Sequence, residues 1–225
     1  PAIVEIADLV DKRYPIKGMD VWKPYGWSAM GLIDTLVRTE MRNTNHDEYN
    51  FPLLVPHDLL DKENKLVQTL KMAREQGVDP SELRIEEEVG GFEKEVYWVK
   101  HAGEHDLDVP MFLRPTSETP MYTMFSLWIR SHADLPLKTF QIVNTFRYET
   151  KQTRSFIRVR EIHFFEAHTA HADQSGADAQ IDEDSDIVRR LLHDLCLPAV
   201  ISRRPVWDTF PGAWYTNAVD AIMPN

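Results

Sequence analysis

The segment 141–171 restricts the fold more than any other part of the chain. Apolar and polar residues alternate along its first part, a polar stretch follows at 150–155, and alternation returns from 156 onwards. Because successive side chains of a β-strand point to opposite faces, this two-residue period predicts two antiparallel strands joined as a long hairpin. The fold must therefore contain a sheet built around this pair of strands.

The predicted hairpin is locally cationic, although the formal net charge of the 225-residue chain is -11. Its lysine and arginine residues are Arg147, Lys151, Arg154, Arg158 and Arg160. The strand period places Arg147 and Glu149 on one face of the outgoing strand, and Arg158 and Arg160 on one face of the returning strand. Arginine binds phosphate and carboxylate through a planar fork of donors, so the pattern indicates an anion site. The alternative is a solvated face with cross-strand ion pairs.

Apolar residues at helical spacing mark the elements on either side of the hairpin. Residues 27–42 predict an amphipathic helix that leads into a proline-bearing strand at 48–56, and proline is tolerated in sheets mainly at edges or interfaces. Residues 172–195 predict a second helix, whose acidic first half suits the helix dipole and a solvated face rather than a metal. Residues 2–11 also have helical spacing, with apolar positions on one stripe.

A strand and a helix are predicted just before the hairpin. The strand at 111–115 ends at a proline, and Thr116 or Ser117 is placed to cap the helix that follows. Residues 58–77 read as a charged helix, 78–91 as an exposed connection, and 92–99 as a strand. Since the strands are joined by helical connections and one hairpin, we expect an α+β domain with a mainly antiparallel sheet flanked by helices.

Composition limits the compartment and the chemistry. No apolar run approaches the roughly 18–20 residues that cross a bilayer, and no signal peptide opens the chain, so we expect a cytoplasmic protein without a membrane partner. The single cysteine, Cys196, is expected to be a small buried apolar residue, because one cysteine makes neither an intrachain disulfide nor a cysteine-rich zinc site. No metal ligand set is predicted. Because the net charge of the chain is negative and would repel phosphate, any contact with RNA must be made by a locally basic patch.

Several separated motifs resemble those of one enzyme family, in its order along the chain. FRYE at 146–149 and IRVRE at 157–161 resemble motif 2 of the class II aminoacyl-tRNA synthetases, and EAHTAH at 166–171 is similar to the prolyl type. LRPTSET at 113–119 resembles the Thr-x-Glu loop of that type, and later strands at 208–216 and 221–224 are similar as well. A joint match of this kind is far more specific than any one short motif.

The resemblance implies a partial class II catalytic domain over residues 1–225. Motif 1 would span about 27–56, the Thr-x-Glu loop 116–118, and motif 2 about 141–168. The family activates proline with ATP and Mg²⁺ and transfers it to tRNA(Pro). Pro52 stands at the motif 1 proline, which lies at a homodimer interface in the family, although the local pattern alone also fits an ordinary edge strand.

The same resemblance assigns roles to single residues. Arg147 would hold the substrate carboxylate and the α-phosphate, Glu149 the adenine amino group, and Arg158 the nucleotide. Two sets would bind proline: Thr116, Glu118 and Glu166 at its secondary ammonium, and Phe164, His168 and Phe210 around its ring. Phe92 and Glu95 would stand at the entrance. Each of these residues also has an ordinary structural reading, in the core or at a helix start. Amino acid activation is mainly positioning and electrostatics, so no protein nucleophile is needed.

The chain departs from the family pattern at three places. Ile162 stands where class II enzymes usually carry a phenylalanine that stacks on adenine, and Phe164 where many prolyl enzymes carry tryptophan. The sequence ends at Asn225, before the family's motif 3 and anticodon-binding domain. We therefore expect a fragment with substrate-binding residues and little or no aminoacylation by itself.

Two other readings stay open. The first is a synthetase-like module that has lost catalysis and binds an amino acid, an adenylate or a protein. The second is another class II synthetase such as the threonyl type. The lone cysteine and the motif at 166–171 argue against this second reading. The loop at 150–154 carries two cations and would either contact the tRNA acceptor end or form a solvated hairpin tip.

Overall fold

A computed structural model describes residues 2–59, 65, 69, 72–73, 77, 95–148, 153–210 and 212–221 of the chain. These residues form two compact units. The first unit contains residues 2–59, 95–148 and 153–172, and the second contains 173–210 and 212–221 with the few described positions between 65 and 77. Within the described residues, no helix is both long enough and apolar enough to cross a bilayer.

The first unit contains most of the strands. Its elements in chain order are α1 (Ala2–Ile6), β1 (Val10–Asp11), β2 (Val21–Trp22), α2 (Pro24–Asn43), β3 (Asp47–Glu48), β4 (Leu54–Pro56), β5 (Tyr97–Ala102), β6 (His105–Leu113), α3 (Glu118–Trp128), a 3₁₀ turn (His132–Asp134), β7 (Leu137–Phe146) and β8 (Glu161–Ala170). All its strand pairs are antiparallel except β3 with β7. The prediction of an α+β fold is confirmed.

The long hairpin is present as predicted. Strands β7 and β8 pair without interruption from Leu137 opposite Ala170 to Phe146 opposite Glu161, and β3 joins the outer side of β7. The returning strand starts later than the alternation suggested, so Arg158 is not in it. That residue lies in a turn, where it forms an isolated bridge with Arg154 around Phe156, whose φ is 64°.

A second three-stranded sheet has β6 at its centre, between β4 and β5. Leu113, which ends β6, pairs with Leu54 on one side and Tyr97 on the other. The predicted strand at 111–115 therefore starts earlier, at His105, and stops two residues sooner. The proline-bearing stretch at 48–56 forms two short strands, β3 and β4, instead of one.

Helix α2 confirms the predicted amphipathic helix and extends it to Pro24, where proline is favoured because its missing N–H has no intrahelical partner. Helix α3 buries Met121 and Phe125 against Phe51. Ser117 stands at the N-cap of α3, but neither it nor Thr116 makes a capping hydrogen bond. That prediction was wrong because both side chains bond to the hairpin instead.

The second unit contains α4 (Gln174–Asp194), β9 (Ala199–Arg203), a 3₁₀ turn (Val206–Asp208) and β10 (Asn217–Ala221). Helix α4 is capped by the side chain of Asp173, and β9 pairs antiparallel with β10. Tyr215 donates from its hydroxyl to Asp178 of α4. The helix predicted at 172–195 is therefore confirmed.

Two other predictions about apolar residues were wrong. Cys196 is exposed, because it lies just past the end of α4 with a positive φ of 55°. Helix α1 ends at Ile6. Its Ile3 and Ile6 side chains are 76% and 85% exposed, so the predicted apolar face of this helix is not packed against a core. Most of the predicted helix at 58–77 and the connection at 78–91 lie outside the described residues.

Candidate functional site

One face of the β7–β8 hairpin carries polar residues that β-strand geometry brings together. The register pairs Gln141 with Glu166 and Thr139 with His168. Directly paired residues point to the same face, and so do alternate residues of each strand. Gln141, Phe164, Glu166 and His168 therefore share a face, and the start of α3 contacts it.

Glu166 is the centre of this face and is only 6% exposed. Its Oε2 lies 3.0 Å from the backbone nitrogen of Ser117, 3.3 Å from Thr116 Oγ1 and 3.1 Å from His168 Nε2. Its Oε1 lies 2.8 Å from Gln141 Nε2. The buried carboxylate thus receives donors from β7, β8 and the start of α3.

Glu166 is ionised at neutral pH. Burial alone would raise its pKa, but hydrogen bonds from His168, Ser117 and Gln141 outweigh burial and lower the pKa to about 2. Hydrogen bonds to the charged form favour it in this way. The carboxylate is therefore an acceptor at both oxygens and donates nothing.

The ionised carboxylate sets the direction of the hydrogen bond from His168. Because Glu166 has no proton, His168 Nε2 must carry one and donate it. The hydroxyl of Tyr122 lies 3.1 Å from His168 Nδ1. His168 therefore bonds to Tyr122 with one ring nitrogen and to Glu166 with the other.

Gln141 was not singled out in the sequence, yet it joins three elements at this face. It is fully buried, its Oε1 lies 3.0 Å from the backbone nitrogen of Phe51, and its Nε2 lies 2.8 Å from Ser117 Oγ. A polar residue at a core-facing position of a strand was the available signal, because buried amides are kept only where hydrogen bonds satisfy them.

Glu118 begins α3 and belongs to the same cluster. Its Oε2 is buried and has no hydrogen-bond partner among the described residues. One ligand atom from each of Glu118, Glu166 and His168 lies within 4.8 Å of the others, a spacing that would allow a metal ion. Both ring nitrogens of His168 are already bonded, however, so a metal would have to displace them. A protonated amine donates to Glu118 and displaces nothing.

Arg147 follows β7 immediately and lies near the cluster. Its Nε donates to the carbonyl of Pro115 at 3.0 Å, and its guanidinium carbon is 5.7 Å from the ring centroid of Phe164. The carbonyl bond fixes the guanidinium beside the loop that carries Thr116 and Glu118. The structure therefore brings a guanidinium, an aromatic ring and two carboxylates to one region.

Arg160, rather than Arg158, is the neighbour of Arg147. The backbone nitrogen of Arg147 donates to the carbonyl of Arg160 at 3.0 Å, and the Arg160 guanidinium carbon lies 4.5 Å from the ring centroid of Tyr148. The side chain of Arg158 is exposed, in the turn that precedes β8. The predicted shared strand face of the two arginines was wrong because the alternation at 156–160 belongs to a turn.

The remaining predicted residues are not placed in this cluster. Glu149 and Phe92 lie outside the described residues. Glu95 is exposed, and its carbonyl accepts from the backbone nitrogen of Tyr148 at 2.7 Å. Phe210 belongs to the second unit, where it is 57% exposed.

The opposite face of the hairpin has a cavity of about 170 Å³, lined in part by Trp22, Trp27 and Asn144. At its edge His163 Nε2 lies 3.0 Å from both carboxylate oxygens of Asp34 in α2. This pair joins α2 to β8 behind the Glu166 cluster. Helix α2 thus supports the strand that carries the candidate site.

The sequence of the chain is similar to those of known proteins. Residues 97–225 match the tRNA synthetase class II core domain (G, H, P, S and T). The proline–tRNA ligase of Thermoplasma acidophilum is 51% identical over 223 residues, which is 99% of this chain and 44% of that protein. That of Pyrococcus horikoshii is 50% identical over 224 residues, 99% of this chain and 42% of that protein.

Two solved structures resemble the chain closely. Giardia lamblia prolyl-tRNA synthetase, in complex with prolyl-adenylate, superposes with a TM-score of 0.86 at 39% identity and covers 99% of this chain and 40% of its own. The Cryptosporidium parvum enzyme, complexed with halofuginone and AMPPNP, superposes with a TM-score of 0.81 at 30% identity. This match covers 96% of this chain and 40% of the Cryptosporidium chain. The chain spans less than half the length of these relatives.

Proposed function

The chain belongs to the class II tRNA synthetase core family (G, H, P, S and T), and from this premise we propose that it provides the proline-activating site of a proline–tRNA ligase. The observation that carries the proposal is the cluster at the start of α3. There a buried carboxylate oxygen of Glu118 has no partner among the described residues, and an ionised Glu166 lies beside it. Such a site suits a small cationic ligand.

Proline would lie between the two charged groups of the site. Glu118 and Thr116 would accept from the secondary ammonium, while Glu166, which also bonds His168, holds the Thr116 loop in place. Arg147 would bind the carboxylate, since its guanidinium is fixed by Pro115. Phe164, which faces Arg147, would form one wall of the ring pocket. Phe92 and Glu95 would contribute at the entrance.

ATP would supply the α-phosphorus that the proline carboxylate attacks, and pyrophosphate would leave as the bond between the α-phosphorus and the bridging oxygen breaks. The Giardia and Cryptosporidium structures carry prolyl-adenylate and AMPPNP, respectively, which supports a nucleotide site in this chain. Arg147 would stabilise charge on the α-phosphate, Glu149 would accept from adenine, and Arg158 would contact the nucleotide. Mg²⁺ would enter with ATP as part of the substrate. These residues position reactants and form no covalent intermediate.

Two macromolecular partners follow from the family. We propose tRNA(Pro) as the acceptor of the prolyl group and a second copy of the chain as the partner at the motif 1 region. Around Pro52 the apolar side chains of Leu53 and Leu54 are 40% and 41% exposed, and Leu32 of α2 is 69% exposed. Exposed apolar side chains at an edge strand suit such an interface. A cytoplasmic location is proposed on the same family grounds.

Calorimetry with a non-hydrolysable prolyl-adenylate analogue tests the proposal. We expect binding by the wild type and a loss of at least about tenfold in affinity for Glu118→Ala, because the ammonium loses its charged acceptor. ATP–pyrophosphate exchange with proline then tests catalysis, and we expect little or none from this chain alone. A non-catalytic binding module would bind the analogue equally well with and without the Glu118 carboxylate.

A further inference from the structure

The cavity behind the Glu166 cluster has a wall of aromatic rings. The rings of Phe156 and Trp22 meet with centroids 4.6 Å apart and an interplanar angle of 63°. The Trp27 ring lies 5.8 Å from that of Trp22 and 5.4 Å from that of His163, at 72° in both pairs. All four rings line the cavity. Neighbouring rings at steep angles form the corners of an aromatic cage, which is how proteins hold organic cations.

Two carboxylates belong to the same lining, Asp20 just before β2 and Glu161 at the start of β8. Asp20 accepts from the hydroxyl of Ser155, and Glu161 Oε1 accepts from Asn144 Nδ2 at 2.7 Å. Both partners are neutral. In the part of the chain that the structure describes, neither carboxylate forms an ion pair. Since carboxylates carry negative charge at neutral pH, the lining has two negative charges that no described cation balances.

The nearest cationic groups do not cancel this charge. Arg160, which precedes Glu161 in the sequence, has its guanidinium carbon 4.5 Å from the ring centroid of Tyr148. His163 is the one ring of the wall that can be protonated, and its Nε2 lies 3.0 Å from both carboxylate oxygens of Asp34. A positive charge on that ring would therefore be balanced by Asp34, and the cavity keeps a negative lining.

A cavity lined in this way is not expected to stay empty. Cavities that remain dry are apolar, and this one has a volume of about 170 Å³ with carboxylates in its lining. Water hydrates the carboxylates but is only weakly attracted by aromatic rings. An organic cation is attracted by the ring faces and by the carboxylates together. The combination therefore favours a cation over water.

We propose that this cavity is a binding site for a small organic ammonium ion, with the aromatic side chains against the cation and the two carboxylates balancing its charge. The site lies within the first unit, on the face of the hairpin opposite to the proposed proline site. The inference therefore goes beyond the proposed function and does not depend on it. Two properties of the cavity define the ligand class: its negative lining requires positive charge, and its volume admits only a small molecule.

Two probes of equal shape test the requirement for charge. Choline and 3,3-dimethyl-1-butanol have the same shape, but the quaternary nitrogen of choline is a neutral carbon in the alcohol. Binding is followed by ¹H–¹⁵N NMR of the indole N–H groups, with two signals assigned from Trp22→Phe and Trp27→Phe. We expect choline to shift both signals and to bind at least about tenfold more tightly than the alcohol, which is the order of one desolvated cation–π contact.

Two conservative substitutions test the carboxylates. Asp20→Asn and Glu161→Gln each keep an oxygen that accepts from Ser155 or Asn144, and each removes one negative charge. Either should weaken choline binding at least about threefold and leave binding of the alcohol unchanged, because only the cation interacts with the lost charge. Asp108→Asn is the matched control, since Asp108 is exposed on β6 and is not in the lining. It should keep the wild-type affinity for choline, as exposed distant charges are screened.

The proposed proline site also attracts an ammonium ion, and Glu118→Ala separates the two sites. Choline binding and the two indole shifts should persist in this variant. Loss of choline binding in Glu118→Ala, equal binding of the two probes, or no binding of either, as for a cavity that holds only water, would each overturn the inference. The proposed function would still stand, because the prolyl-adenylate analogue decides it separately. Should circular dichroism show that a carboxylate variant is unfolded, the two probes with the wild type still decide.

Discussion

Replacing Glu166 with glutamine should remove a specific part of the acid sensitivity of the fold. The pKa of this carboxylate is about 2 in the folded chain, against an ordinary value of 4.5. A lowered pKa means that the ionised group stabilises the fold above about pH 4.5, and that this contribution is lost as the pH falls toward 2. Linkage gives a loss of about 2 kcal/mol between pH 7 and pH 3 from this residue alone.

The assay is urea unfolding of the wild type and Glu166→Gln at pH 7 and pH 3. At pH 7 the variant should be less stable by about 1–3 kcal/mol, because its NH₂ group would face the donors that now bind the carboxylate. Between pH 7 and pH 3 it should lose about 2 kcal/mol less than the wild type. Other acidic residues titrate in both proteins and cancel in this difference.

An exposed carboxylate provides the matched control. Glu104 lies in the turn between β5 and β6 and is exposed, so Glu104→Gln should follow the wild type at both pH values. If Glu166→Gln loses as much stability between pH 7 and pH 3 as the wild type, Glu166 is not held ionised by its donors. The directions of the hydrogen bonds from Thr116 and His168 would then no longer follow.

Three further predictions concern the core, the site and its charge. Phe140→Ala, at a fully buried position of β7, should lower the free energy of unfolding by about 3–5 kcal/mol in urea titrations. Tyr122→Phe should weaken binding of the prolyl-adenylate analogue several-fold in calorimetry, by about 1 kcal/mol, since His168 loses its partner at Nδ1; unchanged affinity would show that this hydrogen bond does not help to position His168 and Glu166. Arg147→Lys should weaken the same binding at least about tenfold, because an ammonium lacks the planar fork; an equal affinity would show that Arg147 does not contact the carboxylate.

The sequence predicted the hairpin well because a two-residue period is a direct consequence of strand geometry. The same period puts Glu166 and His168 on one face of β8. Periodicity failed at Arg158, where alternating residues form a turn around Phe156 instead of a strand. A short alternating stretch does not distinguish a turn from a strand, since no local feature of the sequence forces the two strands to pair as far as Arg158.

Side-chain roles that depend on contacts distant in sequence could not be predicted. Ser117 follows the usual pattern of a helix cap, yet its hydroxyl accepts from Gln141, a contact across 24 positions. Gln141 itself looks like one more polar residue of a strand. Its importance comes from Phe51, 90 positions away, whose N–H fixes the orientation of its amide. Local propensity contains no information about such partners.

The same contacts connect the segment around Pro52 with the candidate site. The backbone of Phe51 is held on both sides: its N–H donates to Gln141, and its carbonyl accepts from the buried guanidinium of Arg114. Gln141 in turn bonds Glu166 directly. A displacement of the chain at Phe51 would therefore reach the carboxylate through a single side chain. If Pro52 lies at a subunit interface, as we propose, assembly and the geometry of the ammonium site depend on the same buried amide, because Gln141 cannot release Phe51 without leaving a polar group unsatisfied.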